Sequence, residues 1–334
     1  MAASTQNPIY TVYAVSGGTK YNLTDVTIDI GFSEQQRQIA KSATISLVNA
    51  KVNGQWLSSL LKVRDRIFVY ANDGERSGEV WRGYVWTRTY KSSLDGWDLR
   101  LKCYDNLIYF QESEESKFFA SGKSTQAILS SICSDWGVSL SYSYSSITHS
   151  KLALRGTLSD IITTDILDLV KDRTGKKYVI TSEQDTVCIR EIGQNSTVYN
   201  VNRGQNALQT NSECTMDGMT TRVVILGKAD DDDRIPVEGT VTGDTGTYGT
   251  LQKLITRDEN TSLEDAKKEA QSIIDDEGKP KWEYTVTAVD IPWIRKGDKV
   301  KVTAGDMTLT YIVTGIDRDI SINKKEMTLT MEAA

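Results

Sequence analysis

The residues that most resemble a chemical site are Ser121-Gly122-Lys123-Ser124-Thr125, because a GK[ST] loop can present backbone N–H groups and a lysine to a phosphate. A P-loop also requires a glycine five positions before Gly122, where this chain has Lys117. No parallel-sheet pattern precedes the loop. Ser124 or Thr125 instead suits the cap of a following helix. The stretch therefore predicts a helix start and no nucleotide site.

The chain contains a single histidine, His149, within a stretch rich in serine and tyrosine. One histidine cannot supply the paired imidazoles of an H-x-x-x-H metal site. A Ser-His-Asp triad would have to use it, yet no G-x-S-x-G elbow surrounds any serine. We interpret His149 as a polar surface residue.

Two groups of carboxylates could do chemistry. Asp230 to Asp233 could collect Ca²⁺, but the spacing of an EF-hand loop is absent, so an acidic, solvated turn is the simpler interpretation. Glu112, Glu114 and Glu115 could act as paired carboxylates of a hydrolase, although such pairing depends on a spatial separation that sequence does not give. We predict no catalytic residue, no cofactor and no metal site, and therefore no enzyme.

Composition narrows the remaining classes. The formal charge of -6 and the absence of a basic block argue against specific nucleic-acid binding. The N-terminus lacks a secretory signal and no window approaches eighteen uncharged apolar residues, so we expect synthesis in the cytoplasm and no membrane contact. The cysteines are too widely spread for a metal knuckle or a CxxC pair and are expected to be reduced: Cys103, Cys133, Cys188 and Cys214.

Two distant stretches have the same pattern of half-buried strands. The first comprises residues 63–69, 81–85 and 96–101, and the second comprises 296–302, 311–316 and 326–331. Asp65 precedes Gly83 by 18 residues and Asp298 precedes Gly315 by 17. This spacing predicts a duplicated antiparallel β unit. The alternative is chance similarity between short alternating strands.

Between these stretches the pattern changes to helices and a hairpin. Ser124 or Thr125 begins one helix that ends at Gly137, and Ser159 caps a second that ends at Gly175. We therefore expect a mainly β chain with an α+β middle domain, divided into residues 1–119, 120–200 and 201–334. The last domain should contain a long exposed loop or mobile hairpin over 230–250 and a helix over 262–277 capped by Ser262.

Aromatic residues alternate within the predicted strands, and most of them should lie in the β cores: Trp81, Tyr84, Trp86, Trp97, Tyr104, Trp282 and Tyr284. Trp293 differs, because it follows Pro292 in a turn. Since tryptophan is enriched in binding hot spots, Trp293 is a candidate interface anchor.

The order of these segments resembles a known family. A β-domain ending in residues 99–110, then F-F-A-S-G-K-S-T-Q-A-I-L-S-S-I-C (118–133), K-K-Y-V-I-T-S and I-R-K-G-D-K-V-K-V (294–302), resembles XkdQ/YqbQ-type baseplate hub proteins. Those proteins belong to contractile phage tails and phage-tail-like bacteriocins. The resemblance covers nearly the whole chain, but the loop over 230–250 has no match in it.

This resemblance implies a structural protein with two tail-tube-like β-barrel domains flanking a small α+β domain. It further implies a homotrimeric, pseudo-sixfold ring that joins the inner tail tube protein to a threefold spike protein, with tape-measure and wedge proteins as further partners. The protein would then end in the tail baseplate of a phage or bacteriocin particle. A tail-associated peptidoglycan hydrolase, or a hub or distal-tail component of a non-contractile tail, remains the alternative.

Overall fold

The computed structural model describes residues 7–36, 38–93, 96–142, 144, 146–228, 234–257 and 261–334. For Ser93, Gly96 and Trp97 only the backbone is described, so the predicted core position of Trp97 lies outside the described side chains. The chain forms two compact units, one of Met1–Asn211 with Tyr284–Ala334 and one of Ser212–Glu283. No helix among the described residues is long and apolar enough to cross a membrane.

Strands account for most of the regular structure. They are β1 (Ile9–Ser16), β2 (Thr19–Asn22), β3 (Thr27–Glu34), β4 (Ser42–Val48), β5 (Lys51–Val52), β6 (Gln55–Trp56), β7 (Arg66–Asn72), β8 (Ser77–Ser93), β9 (Gly96–Tyr104), β10 (Glu114–Phe119), β11 (Leu140–Ser141), β12 (Leu152–Thr157), β13 (Tyr178–Glu183), β14 (Thr186–Glu191), β15 (Tyr199–Asn202), β16 (Ala207–Thr215), β17 (Arg222–Leu226), β18 (Val237–Thr242), β19 (Gln252–Thr256), β20 (Lys281–Val289), β21 (Lys299–Thr303), β22 (Thr310–Ser321) and β23 (Lys325–Ala333).

The helices are short, apart from two. They are α1 (Leu57–Leu60), α2 (Ile108–Gln111), α3 (Thr125–Asp135), α4 (Leu158–Asp160), α5 (Asp168–Thr174), α6 (Thr245–Tyr248) and α7 (Leu263–Glu277), with a 3₁₀ turn at Thr24–Val26 and a π-helical stretch at Ile161–Leu167 between α4 and α5. The mainly β class with an α+β middle region is thus confirmed.

One extended sheet joins the two predicted β units. Its order among the described strands is β16-β20-β23-β22-β3-β4-β9-β8-β7-β1-β2, with β21 pairing both β15 and β22. Strands alternate buried and exposed positions, as β1 and β4 show, so one face of the sheet supplies a shared apolar core. That core combines residues from both ends of the chain, including Ile45, Leu101, Val286 and Leu329.

A second apolar cluster lies in the middle region of the same unit. There α3 and the α4–α5 segment pack with hairpin β13–β14 through residues such as Ile132, Ile162 and Ile189. Ser124 caps α3 by accepting the Ala127 N–H, and Gly175 ends α5 in a left-handed conformation, both as predicted. The predicted cap at Ser159 is wrong, because Thr157 accepts the Asp160 N–H instead.

The compact unit of Ser212–Glu283 has its own small core. Strand β17 pairs antiparallel with β18 and parallel with β19, and α7 packs its apolar side on them through Val223, Ile225, Ala266, Ala270 and Ile274. The predicted helix and its Ser262 cap are confirmed. The sequence assigned these residues to the last β-domain, and the division at residues 119 and 200 stays a prediction.

Where the chain is described, residues 230–250 are not an irregular loop, and β18 pairs antiparallel with β17 as the hairpin alternative expects. Residues 230–233 lie outside the described residues, but β18 and α6 form within the rest. Strand β18 is half exposed and needs few large apolar side chains, since β17 provides the buried ones. A low apolar content therefore did not exclude a strand.

Candidate functional site

The turn before β7 is held by four hydrogen bonds. The Arg64 N–H donates to the Val85 carbonyl at 2.7 Å, and the Val85 N–H donates to the Asp65 carbonyl at 2.9 Å. The Asp65 carboxylate accepts the Lys62 N–H at 2.8 Å, while the Asp65 N–H donates to the Lys62 carbonyl at 3.2 Å. Arg64 adopts φ 73°, in the left-handed region. The aspartate thus closes the turn and anchors it to β8.

The turn before β21 repeats every one of these bonds. Gly297 N–H donates to the Val313 carbonyl at 2.8 Å, and Val313 N–H donates to the Asp298 carbonyl at 2.9 Å. The Asp298 carboxylate accepts the Arg295 N–H at 2.8 Å, and the Asp298 N–H donates back to the Arg295 carbonyl at 3.1 Å. Gly297 adopts φ 85°, which glycine accommodates without strain. Chance similarity of two alternating patterns does not produce four equivalent bonds.

The strands that follow carry a β-bulge at the same point. Register shifts between Val85 and Thr87 in the β8–β9 pair and between Val313 and Gly315 in the β22–β23 pair. Val85 therefore corresponds to Val313. The predicted match of Gly83 with Gly315 is wrong by four residues, because spacing along the chain does not reveal which residues share hydrogen-bond partners.

The two repeated β units both belong to the compact unit of Met1–Asn211 with Tyr284–Ala334. They are joined where β22 continues beyond its bulge. From Ile316 to Ser321 it pairs antiparallel with β3, so that Arg318 lies opposite Phe32 and Ile316 lies opposite Glu34. This junction brings residues from the two ends of the chain into one core.

A network of buried charges lies at the junction. Glu34 contacts Lys41 at 2.8 Å and the Arg318 guanidinium at 3.6 Å. Arg318 Nε donates to Asp290 at 2.9 Å, and the Tyr10 hydroxyl donates to the same carboxylate. All these side chains are buried, or nearly so for Lys41. Their mutual pairing is what makes such burial tolerable.

The network shifts the pKa values of its members. Burial raises the pKa of the Glu34 carboxyl, but the charges of Lys41, Arg295 and Arg318 outweigh it and hold that pKa well below its ordinary value. Burial and the two arginines lower the pKa of Lys41 to about 7, against the attraction of Glu34. Burial raises the pKa of nearby Asp105 to about 7, although its carboxylate accepts the Lys41 and Leu107 N–H groups.

A cavity of about 730 Å³ opens beside the network. Some of its charged lining residues neutralise one another in pairs: Arg82 contacts Glu79 at 2.5 Å, and Arg190 contacts Asp298 at 3.2 Å. No group of three or more metal-ligating side chains occurs among the described residues. The cavity wall therefore combines ion pairs with Arg295 and Lys296, whose charged groups donate to backbone carbonyls, and its described part holds no carboxylate cluster for a metal.

The other residues that the sequence offered as chemical sites either have structural roles or lie outside the described residues. Gly122 donates its N–H to the His149 carbonyl, and Ser124 caps a helix. His149 is buried, which corrects the surface prediction, and its Nε2 lies 2.9 Å from the Thr125 hydroxyl. Burial and Arg173 lower the pKa of His149. Asp230 to Asp233 lie outside the described residues.

Glu114 and Glu115 do not form a carboxylate pair. Glu112 follows α2, and Glu114 and Glu115 are successive residues of β10. Successive strand residues point to opposite faces, so Glu114 and Glu115 are directed apart.

Trp293 is an anchor within the chain. Its indole N–H donates to the Asp73 carboxylate at 2.6 Å, and the Arg76 guanidinium lies 4.1 Å from the ring centroid. The side chain is 8% exposed, so the exposed turn that motivated its prediction is not observed. It ties the turn before β21 to the β7–β8 hairpin. A role for Trp293 between subunits stays a prediction.

Comparison with known proteins identifies the family of this chain. A family model described as YQBQ-like matches residues 30–332, nearly the whole chain. The chain belongs to the YQBQ-like family. The resemblance expected from the sequence is thereby confirmed. This YQBQ-like chain is 24% identical over 281 residues to the phage-like element PBSX protein XkdQ of Bacillus subtilis (strain 168), covering 80% of this chain and 84% of XkdQ.

Solved structures show the same fold. The 43 kDa tail protein of prophage MuSo2 from Shewanella oneidensis has a TM-score of 0.72 at 14% identity, covering 97% of this chain and 98% of that one. The tail protein from Neisseria meningitidis MC58 has a TM-score of 0.70 at 14% identity, covering 97% and 96%. A type VI secretion system component from E. coli has a TM-score of 0.56 at 9% identity, covering 92% and 74%. The YQBQ-like chain therefore has the fold of phage tail proteins.

Proposed function

We propose that this chain is the central hub of a contractile tail baseplate. Three copies form a ring with six similar lobes, which stacks on the inner tail tube at one face and receives a threefold spike at the other. The observation that carries this proposal is the repeated β unit, with the same turn at Asp65 and Asp298 and the same bulge after Val85 and Val313.

The repeated β unit would allow one ring to match two different symmetries. A sixfold tube needs roughly six equivalent surfaces to stack on, whereas a threefold spike needs three. A trimer of a chain with two similar units offers both. Membership in the YQBQ-like family and the tail-protein fold support this assignment.

The proposed mechanism is geometric. The ring transmits the push of the contracting sheath from the tube to the spike, without chemistry, and it contacts tape-measure and wedge proteins. Such a role requires large, permanent interfaces. The protein would act within an assembled particle, either a phage or a DNA-free bacteriocin.

The test is the mass of the purified chain in solution. Size-exclusion chromatography with light scattering over a wide concentration range should give a trimer of three times 37.2 kDa. Electron-microscopic class averages of the trimer should show six lobes around a channel. A stable dimer, or a trimer with three well-separated lobes, would contradict the proposal.

The hydrolase alternative has its own assay. Incubation of the chain with purified cell walls should release no muropeptides if the chain is purely structural, and the candidate carboxylates Glu114 and Glu115 point to opposite faces of β10. The third candidate is Glu112. Release that disappears on their replacement by glutamine would favour the enzyme. For a non-contractile tail, the discriminating observation is the absence of a sheath protein encoded beside this chain.

A further inference from the structure

The cavity beside the junction network lies between the hairpin of β13 and β14 and the turn before β21. Thr181 and Arg190 share one face of the hairpin, since Thr181 lies opposite Cys188, two residues before Arg190. These two residues line the cavity on the hairpin side, and Arg295 and Lys296 line it on the side of the turn. Both sides of the cavity therefore present polar side chains.

The hairpin side contains hydrogen-bond donors that no acceptor uses. The Thr181 hydroxyl and Arg190 Nε are buried and have no hydrogen-bond partner among the described residues. Thr181 as a whole is 7% exposed. A buried polar group left without a partner costs about 1–3 kcal/mol, so such groups in folded proteins usually meet a water molecule or a ligand.

The turn side adds two cations with unused N–H groups. The Arg295 guanidinium donates to three backbone carbonyls, and Lys296 Nζ donates to the carbonyls of Gln35 at 2.9 Å and Gln38 at 2.6 Å. A guanidinium carries five N–H groups and an ammonium carries three, so each side chain keeps donors that the described residues do not use. The carbonyls satisfy hydrogen bonds but do not neutralise the charges.

The acidic residues of the wall do not supply the missing acceptors. Six cationic and five acidic side chains line the cavity. Four of the acidic ones already accept hydrogen bonds or form ion pairs within the chain: Glu34, Glu79, Asp105 and Asp298. The fifth, Glu183, is exposed. The wall therefore has unused donors and an excess of positive charge, although the chain as a whole is acidic.

The size of the cavity and its donors suit one class of ligand. Its volume of about 730 Å³ lies within the range of about 300–1,000 Å³ that small-molecule sites occupy. A metal ion would meet an excess of positive charge, and an apolar ligand would leave the donors unpaired. An oxyanion accepts hydrogen bonds from cationic and neutral donors alike, and its bonds to arginine and lysine are the strong, charge-assisted kind.

We propose that this cavity binds a small oxyanion of the phosphate type, held by the Thr181 hydroxyl, Arg190 Nε and the cations of Arg295 and Lys296. The bound ion joins the hairpin of β13 and β14 to the turn before β21, because it accepts hydrogen bonds from both. This site is independent of the proposed hub function and requires no second copy of the chain.

Calorimetric titration of the full chain with inorganic phosphate tests the site. In a phosphate-free buffer at pH 7, the chain should bind one phosphate per copy, and sulfate should compete with it. Phosphate should also raise the midpoint of thermal unfolding above that in sodium chloride of equal ionic strength, since a ligand that binds only the folded chain stabilises it.

Thr181→Val assigns the binding to this cavity. Valine has nearly the same shape and removes only the unpartnered hydroxyl, so the phosphate-free variant should be at least as stable as the unmodified chain. Its affinity for phosphate should fall about tenfold, the loss expected for one hydrogen bond to a charged ligand. The matched control is Thr44→Val, the same change at a half-buried position of β4 outside the cavity wall, and it should bind phosphate like the unmodified chain.

A second variant covers the other unpartnered donor. Arg190→Lys keeps a positive charge near Asp298 but removes Nε, so it should also weaken phosphate binding. An unmodified chain that shows no binding heat and no rise in midpoint beyond that in sodium chloride would overturn the proposal. Equal phosphate affinity in Thr181→Val, Arg190→Lys and the Thr44→Val control would overturn it as well, because the ion would then bind elsewhere. Either failure leaves the hub proposal intact.

Discussion

Replacing Glu34 with glutamine should destabilise the chain strongly. The glutamine keeps the shape of the side chain but removes the negative charge that faces Lys41 at 2.8 Å and Arg318 at 3.6 Å. At an effective dielectric constant of about 20, these two attractions are about 6 and about 5 kcal/mol. Most of that offsets the desolvation of the buried ions, and removal of one partner of a buried ion pair costs about 3–5 kcal/mol net.

The assay is urea unfolding followed by tryptophan fluorescence, because Trp81 and Trp293 lie in the affected core. The matched control is Asp319→Asn, the same chemical change on the same strand pairing, whose carboxylate is 58% exposed and contacts Lys324 at 2.9 Å. The control should leave the free energy of unfolding close to that of the unmodified chain. The double variant Glu34→Gln/Lys41→Met should recover part of the loss, since it removes an uncompensated cation.

Acid should act in the same direction as the substitution. The pKa of Glu34 is depressed in the folded chain, so its contribution is present above its ordinary value near 4.5 and is lost as pH falls towards the folded pKa. The variant should therefore lose less stability than the unmodified chain below about pH 4. A Glu34→Gln variant no less stable than the Asp319→Asn control would refute the claim that the ion network holds the junction.

Three further outcomes follow from the site. Trp293→Phe should cost about 2–3 kcal/mol, by loss of packing and of the indole bond to the Asp73 carboxylate, and a denaturant midpoint equal to that of the unmodified chain would contradict this. Asp298→Ala should cost about 2–3 kcal/mol because it removes a buried carboxylate that closes the turn and pairs with the partly exposed Arg190, whereas Asp65→Ala at the equivalent, half-exposed turn should cost about 1 kcal/mol. Equal losses in thermal melts would disprove this difference. Asp105→Asn should flatten the dependence of the free energy of unfolding on pH. The pKa of Asp105 is about 7 in the folded chain against an ordinary 3.8, so its ionisation lowers stability as pH rises from about 4 to 7. The same slope in the variant and the unmodified chain would exclude that titration.

Local signals in the sequence predicted the local structure well. Ser124 and Ser262 cap their helices as expected, since capping depends on a side chain and the backbone three residues later. The choice between Thr157 and Ser159 failed because both residues are good caps and only packing decides between them. The hairpin of β13 and β14 was equally readable from its alternation and turn.

The junction network could not be predicted. Charged residues are usually exposed, and Glu34 and Arg318 come from opposite ends of the chain, so no short-range pattern links them. The glycine match failed for a related reason. Gly83 is required because a Cβ there would lie 2.2 Å from the Tyr104 carbonyl, whereas Gly315 lies at the bulge beside Glu34. The two glycines have different structural roles, and they only happen to lie at similar sequence distances from Asp65 and Asp298.

The two repeated β units differ in sequence where their surroundings differ. Asp65 is half exposed, whereas Asp298 is buried and paired with Arg190. Counted from the shared bulge, Arg88 and Tyr90 of β8 correspond to Ile316 and Arg318 of β22. Arg88 and Tyr90 face solvent, whereas Ile316 and Arg318 are buried against β3. The burial of Arg318 is offset by Glu34 and Asp290, which contact it because β3 pairs with β22 in the folded chain. Tyr90 is exposed, so a charge at its position would gain little from the same pairing.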